Sequence, residues 1–252
     1  MSDWAVFCFH VKTFRMRLLT VSDIHGRTVW KEANLSAYDR IVFLGDYTDS
    51  YSIDDDTIFA NLNEIIQLKR QDPLKFKLLI GNHDAQYLHF PHYRCSGFRV
   101  WAQPALSDLF ARNASLFEIA HQEGSYLFTH AGVSGKWFSR LLAETQQIER
   151  ALTPDFAVAA LLNEVHQQPL QVRDLLFEVG PQRGGTDPFS GPVWADRAET
   201  RYDFLPGFHQ VVGHTPISDF TTYGDDGDEA GSITYTDVLQ TQTRFYELTI
   251  PD

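Results

Sequence analysis

Five short apolar runs in this chain each end in polar residues beside a glycine. Residues 17–21 (RLLTV) run into Ser22-Asp23-Ile24-His25-Gly26, and residues 40–44 (RIVFL) into Gly45-Asp46-Tyr47-Thr48-Asp49. Residues 76–80 (FKLLI) lead to Gly81-Asn82-His83-Asp84, residues 126–129 to His130-Ala131-Gly132, and residues 210–212 to Gly213-His214-Thr215-Pro216. Short runs this rich in Ile, Leu, Val and Phe are what strands covered on both faces require. In open α/β sheets, ligands bind beyond the carboxyl ends of the strands. A glycine there lets the backbone turn sharply enough to aim a polar side chain into the crevice. The rhythm therefore restricts the chain to an α/β protein whose strand ends share one polar site.

Helical patterns fill the intervals. Residues 57–70 carry Ile58, Phe59, Leu62, Ile65, Ile66 and the stem of Lys69 along one stripe. Asp54, Asp55 and Asp56 suit the N-terminal end of that helix, where they cap it and favour its dipole, and they are read so rather than as a calcium site. Residues 98–111 and much of 136–177 also read as helix, with Pro104, Pro154 and Pro169 marking breaks or starts. Residues 180–192 hold four glycines and three prolines without periodicity, which predicts a loop with a role at the site or with mobility. Residues 232–238 and 244–250 predict a terminal hairpin. The acidic stretch 225–229 before it lacks calcium-loop spacing and reads as a solvated turn.

Composition narrows the function classes. Lys plus Arg number 21 against 33 Asp plus Glu, a net charge of −12 that argues against a general nucleic-acid-binding surface while leaving room for a local basic pocket. No stretch approaches the ~20 apolar residues of a membrane helix. Residues Trp4 to Phe9 are apolar, but the run follows Asp3 and is too short for a signal-peptide core. Residues 1–15 read as an N-terminal extension ahead of a single domain spanning 16–252. Two cysteines, Cys8 and Cys95, cannot form a disulfide framework, so a reduced cytoplasmic setting is expected.

The strand-end residues form a ligand inventory. Asp23, His25, Asp46, Asn82, His130 and His214 supply carboxylates, imidazoles and an amide oxygen. Such a mixed set without thiolate suits Mn, Fe or Zn and argues against a structural zinc site. Six donors are too many for one closed tetrahedral ion and suit two ions sharing a bridging carboxylate. Paired ions lower the pKa of a bridging water and clamp both sides of an in-line displacement at phosphorus. His83 and Asp49 remain, with the pairing of a general acid and the carboxylate that orients it. Any one such His or Asp would ordinarily be a satisfied loop residue, and His10, His89, His92, His121, His166 and His209 receive that reading. Five motifs in order outweigh it. Residues 132–136 lack phosphate-loop spacing, and Asn113-Ala114-Ser115 reads as a chance match to a glycosylation acceptor.

In order, the chain shows D-x-H at Asp23-Ile24-His25, GDxxD at Gly45 to Asp49, GNHD at Gly81 to Asp84, H-x-G at His130-Ala131-Gly132, and GH at Gly213-His214-Thr215. This series resembles the calcineurin-like metallophosphoesterase superfamily over about residues 17–216. The Asp at the third position after Asp46, and Thr129-His130-Ala131-Gly132, are similar to the branch that holds phosphoprotein phosphatases and diadenosine tetraphosphate hydrolases. The resemblance implies a four-layer α/β/β/α fold, two central mixed β-sheets flanked by helices, with specificity inserts at about 85–125 and 134–205. It implies that Asp23, His25 and Asp46 hold one divalent ion and that Asp46, Asn82, His130 and His214 hold a second. Manganese is expected first, with iron or zinc as alternatives. His83 would protonate the leaving oxygen after attack by a metal-bridging hydroxide, and Asp49 would orient His83. The implied substrate is a phosphorylated small molecule, a nucleotide or a phosphoprotein.

One departure stands out. That branch usually reads G-D-x-x-D-R-G, with the Arg clamping substrate phosphate, whereas Ser50 and Tyr51 stand here. Ser cannot reproduce the bidentate contacts of Arg. Arg183, Arg197 and Arg201 are candidate replacements. Arg197 ranks first, because Trp194-Ala195-Asp196-Arg197 resembles the family segment before the last His. The competing readings are a nucleotide pyrophosphatase or phosphodiesterase of the dinucleoside polyphosphate type, and a non-catalytic scaffold. The presence of His83 with Asp49 argues against the scaffold.

Overall fold

A computed structural model of the protein describes residues 15–151, 156–224 and 231–251. The run from Trp4 to Phe9, Cys8, His10, Pro154 and the acidic stretch 225–229 lie outside them. Two five-stranded sheets form the centre. The first has the order β10-β1-β2-β3-β4, from β1 (Arg15–Val21), β2 (Arg40–Phe43), β3 (Phe76–Leu79), β4 (Phe117–Glu118) and β10 (Tyr246–Pro251). Strands β1 to β4 are parallel, and β10 runs antiparallel to β1. The second has the order β5-β6-β7-β9-β8, from β5 (Ala120–Glu123), β6 (Tyr126–Thr129), β7 (His209–Val212), β8 (Thr221–Gly224) and β9 (Ser232–Tyr235). Here β6, β7 and β9 are parallel, while β5 and β8 are antiparallel edges. The layered α/β architecture of two mixed sheets flanked by helices is the one that the family resemblance implies.

Alternation along the strands builds the layers, since successive side chains face opposite sides of a sheet. Leu18, Val42, Leu79 and Ile250 from the first sheet meet Phe128 and Val211 from the second in one buried cluster. Their neighbours Leu19, Ile41, Phe43 and Leu78 face the other way, into a larger core that takes in helix α1 (Asp55–Gln71) through Ile58, Leu62, Ile65 and Ile66. Asp54 caps α1 by accepting from Thr57 N–H at 2.8 Å, and Asp55 and Asp56 occupy its first turn. Burying a Leu, Ile or Phe this fully stabilises by roughly 1.5–3 kcal/mol each, so apolar residues on both faces give each central strand two reasons to stay in the sheet.

The remaining helices are α2 (Asn82–Leu88), α3 (Gln103–Arg112), α4 (Gly135–Glu144), α5 (Ile148–Ala151), α6 (Val158–His166), α7 (Leu170–Arg173) and α8 (Arg197–Thr200). Helix α6 packs on β5 and β6, on the outer side of the second sheet. The expected helix at 98–111 starts only at Gln103, with Pro104 in its first turn. Residues 180–192 are irregular apart from a short 3-10 turn at Pro181–Arg183.

The terminal hairpin is not formed. Strand β9 lies in the second sheet beside β7, whereas β10 closes the first sheet against β1. All four residues of β9 are buried, so it belongs in a sheet interior with partners on both edges. Its antiparallel partner is β8, whose Thr-Thr-Tyr-Gly sequence carries little apolar signal. Strands β4 and β5 arise within residues 85–125, so that stretch completes both sheets as well as bordering the site.

At the end of the sandwich away from the motif loops, Arg40 Nε of β2 meets Glu123 Oε1 of β5 at 2.6 Å, and His121 Nε2 lies 2.9 Å from the same oxygen. The His121 contact, together with Arg40, outweighs partial burial and holds Glu123 down at about 2. A carboxylate so depressed adds stability at pH values above its unfolded pKa of ~4.3, and that contribution is lost as pH falls toward 2. Glu123→Gln is therefore expected to lower the melting temperature at pH 7 and to flatten its decline between about pH 4.5 and 2. Parallel acid melts of the two proteins check this.

Candidate active site

The loops after β1, β2, β3, β6 and β7 converge on one edge of the sandwich. Asp23, His25, Asp46, Asp49 and His214 all take left-handed backbone conformations, with φ between 43° and 64°. That region is sparsely populated for non-glycine residues, although Asp and His enter it more readily than most. Strain gathered in this way is a mark of functional loops. Glycine is needed where two loops touch: a Cβ at Gly81 would collide with the Asp46 carboxylate, and one at Gly213 with Ser22 and Asp23.

The converging donors have the chemistry of a cation site. His130 is fully buried, and its Nδ1–H donates to the Leu44 carbonyl at 2.8 Å. A carbonyl only accepts, so Nε2 presents its lone pair to the site. There it lies 3.1 Å from Asn82 Oδ1, 3.0 Å from His214 Nδ1 and 3.5 Å from Asp46 Oδ2. His25 is fixed in the same way, donating from Nδ1 to Thr48 O at 2.8 Å, with Nε2 3.7 Å from Asp46 Oδ2. Lone pairs on His130, Asn82 and Asp46 thus face one another, an arrangement that a cation could satisfy. His214 donates its main-chain N–H to Asp23, while its buried Nε2 has no hydrogen-bond partner. Besides Asp49–His83–Cys95, two sets have their donor atoms within 4.8 Å of one another, Asp46–His130–His214 and Asp23–His25–Asp46. Asp46 belongs to both. Burial alone would raise its pKa, but the imidazoles of His130, His83, His25 and His214 hold it well below the usual carboxylate range. Burial also raises Asp23 and pushes His214 down.

His83 begins the first turn of α2 beside Asn82, and its Nδ1 meets Asp49 Oδ2 at 2.8 Å. Gln86 and Tyr87 donate to the same Asp49 carboxylate. Spaced three and four positions after His83, they share its face of the helix. Burial would lower the His83 pKa, but the Asp46 charge and the Asp49 hydrogen bond push it up to about 12, so the imidazole is held in its acid form. Asp84, with no exposed surface, turns inward. It accepts from the main-chain N–H groups of Asp46 (2.7 Å), Tyr47 (2.9 Å) and Gly81 (3.0 Å), and from the Thr48 hydroxyl (3.1 Å). One carboxylate thereby locks the GDxxD loop to the GNHD turn.

The site opens into a cleft of about 840 Å³ lined by Asp23, His25, Asp46, Asp49, Asn82, His83 and His214. Of the three arginines expected as phosphate ligands, Arg183 lines this cleft, held by Asp196 at 2.9 Å and Thr215 Oγ1 at 2.5 Å. Arg197 and Arg201 do not line it. Arg197 donates to Tyr223 and lies over the Tyr223 and Tyr235 rings, and Arg201 lies over Tyr202. Helix α8 turns Arg197 away as the residue just inside its Asp196 cap. Sequence reasoning missed Arg27, Arg99 and Asp237, which also line the cleft, and Cys95, whose Sγ lies 3.8 Å from His83 Nδ1. Asp237 follows buried strand β9, as the candidate ligands follow their strands, so the same strand-end signal could have found it. His89 and His166 pair with each other, Nε2 to Nε2 at 2.9 Å, and do not line the cleft.

The family model of calcineurin-like phosphoesterases matches residues 16–225. Among solved structures the chain is similar to a cold-active protein-tyrosine phosphatase of a psychrophile, Shewanella sp., at 19% identity over 88% of this chain and 71% of that one, with a TM-score of 0.51. It is likewise similar to a cold-active protein tyrosine phosphatase solved at 1.1 Å, at 18% identity over 88% of this chain and 69% of that one, with a TM-score of 0.53. Likeness at this identity shows the fold. No curated protein matches the chain.

Asp84→Asn would set an amide donor against main-chain N–H donors. It is expected to lower stability by about 2–4 kcal/mol in denaturant unfolding, with an unchanged m-value because the same core unfolds.

Proposed function

The chain belongs to the calcineurin-like phosphoesterase family, and from that premise we propose that it hydrolyses phosphate esters at a two-ion centre bridged by Asp46, with His83 as general acid. The observation that carries this reading is the shared place of Asp46 in two donor sets, beside a His83–Asp49 pair on the same cleft. Asp23, His25 and Asp46 would hold one ion, and Asp46, Asn82, His130 and His214 the other. Divalent ions held by these residues would supply Lewis acidity toward the phosphoryl oxygens and a water acidic enough to attack at neutral pH.

The protein's own residues do the rest. Asp49 accepts from Nδ1–H of the His83 imidazolium and so orients the ring, which leaves the second proton, on Nε2, for the leaving oxygen. The main-chain N–H of His83 donates to Asp46 Oδ1 at 2.9 Å, so acid and bridge are spaced by one short stretch of backbone. Leu44 and Thr48 carbonyls orient the His130 and His25 rings, which places their lone pairs without reorganisation. Three imidazoles among the donors favour manganese or iron over magnesium, which prefers oxygen ligands. The substrate is read as a phosphate ester of a protein or small molecule. The acid His83, already paired to Asp49, supports catalysis over a scaffold role. The free thiol of Cys95 next to His83 fits a reducing, cytoplasmic setting.

Phosphate-ester hydrolysis with added Mn tests the reading. Chelation is expected to abolish turnover, and Mn to restore it better than Mg; full turnover by a metal-free sample would overturn the assignment. The roles separate by substitution. His83→Asn should keep metal content near wild type while turnover falls roughly 10²–10⁴-fold, with a smaller loss on nitrophenyl esters, whose leaving group needs little protonation. Asp46→Asn should lose metal and activity together.

A further inference from the structure

We infer that Arg99 clamps the substrate phosphate in place of the arginine that the family pattern sets at position 50, an inference that rests on the phosphoesterase reading above. Position 50 itself cannot do so. The Ser50 hydroxyl is turned into its own loop, where it accepts from the N–H groups of Ser52 at 3.3 Å and Ile53 at 3.2 Å.

Arg99 reaches the same place from a different segment. Its Nη1 donates to the Ser50 carbonyl and its Nε to Asp55 in the first turn of α1, so the guanidinium is fixed against the backbone of position 50. The main chain is fixed too, because Arg99 N–H donates at 2.8 Å to the Tyr87 hydroxyl, which in turn donates to Asp49. Residues 95–99 lie flat on the catalytic pair: a Cβ at Gly97 would stand 3.5 Å from Asp49 Cβ and 3.6 Å from His83 Cε1. Of the five guanidinium N–H donors, Ser50 and Asp55 take two. Nη2 makes no hydrogen bond among the described residues, while the side chain lines the cleft and is 23% exposed. Planar donors left over in a fixed orientation are what bidentate phosphate recognition uses. The other cleft arginines have other partners. Arg27 spends Nη1 on the carbonyls of Asp23 and Ile24, and Arg183 is held by Thr215 and Asp196.

The test compares wild type, Arg99→Ala, Arg99→Lys and the double variant Arg99→Ala/Ser50→Arg as Mn-loaded full-length protein. Three quantities are read: KM and kcat for p-nitrophenyl phosphate, the affinity for orthophosphate by calorimetry, and the melting temperature. In Arg99→Ala, KM should rise and orthophosphate affinity fall by roughly 10–100-fold, with kcat changing less. Arg99→Lys, which keeps the charge and the Asp55 partner but loses the fork, should fall between. Ser50→Arg in the Ala background should recover most of the loss. Unchanged orthophosphate affinity in Arg99→Ala, or no recovery by Ser50→Arg, overturns the inference. If Arg99→Ala melts early, Arg99→Lys decides, since phosphate affinity equal to wild type in that variant is also contrary. A wild-type protein that hydrolyses no phosphate ester defeats the phosphoesterase reading instead, and the orthophosphate titrations still decide the role of Arg99.

Discussion

The negative charge of Asp46 is what the sheet junction is arranged around. Its carboxylate is buried, and a buried charge persists only where opposite charge or hydrogen-bond donors surround it. The His83 N–H, the rings of His25 and His130 and the loop held by Asp84 supply that surrounding. These partners come from both sheets, so the charge cannot be accommodated until the two sheets face each other. The left-handed backbone at Asp23, His25 and His214 goes with side chains brought to that charge, whereas at Asp49 it goes with a carboxylate brought to His83.

Much of this could be read in the residues alone. A strand covered on both faces announces itself by an unbroken apolar run, as Ile41 to Leu44 and Leu78 to Ile80 do. The polar residues that follow have no place in a core, so their position at strand ends was legible as a site. The chain was harder to read where structure is set by long-range pairing. Strand β8 has one aromatic and no aliphatic residue, and its place is fixed by β9 rather than by its own sequence. Strands β9 and β10 look like neighbours because they are near in sequence, yet one fills a sheet interior and the other caps an edge. Arg99 and Cys95 lie outside any motif, and only the path of residues 88–99 carries Cys95 to His83 and Arg99 to Ser50.

The two long intervals between motifs thus have a common role as walls. Residues 85–125 bring Gln86, Tyr87, Gly97 and Arg99 to the Asp49 side, and the second interval brings Arg183 and Trp194 to the His214 side. They also meet each other through the His89–His166 pair, which Phe177 and Tyr93 surround with rings. Burial comes first for both imidazoles, joined by the charges of His166 and Arg173 at His89 and of Arg173 at His166, and pushes them down to about 3 and about 4, so the joint is neutral and one ring donates to the other. The two walls are therefore braced together rather than hanging as separate loops.

The antiparallel pairing of β1 with β10 has a consequence for how the chain acquires this shape. Thr20 hydrogen-bonds the Tyr246 carbonyl across 226 positions of sequence. During synthesis β1 emerges first, with an open edge and the apolar side chains of Met16 and Leu18 beside it. That edge stays uncovered until residues 246–251 have been made. The loop that carries Asp23 and His25 is rooted at the end of β1, so the strand that bears these candidate ligands has its full set of sheet partners only once the distant β10 is in place. Chains dominated by such distant pairings fold slowly, and an unpaired strand edge in the interim is a template for aggregation.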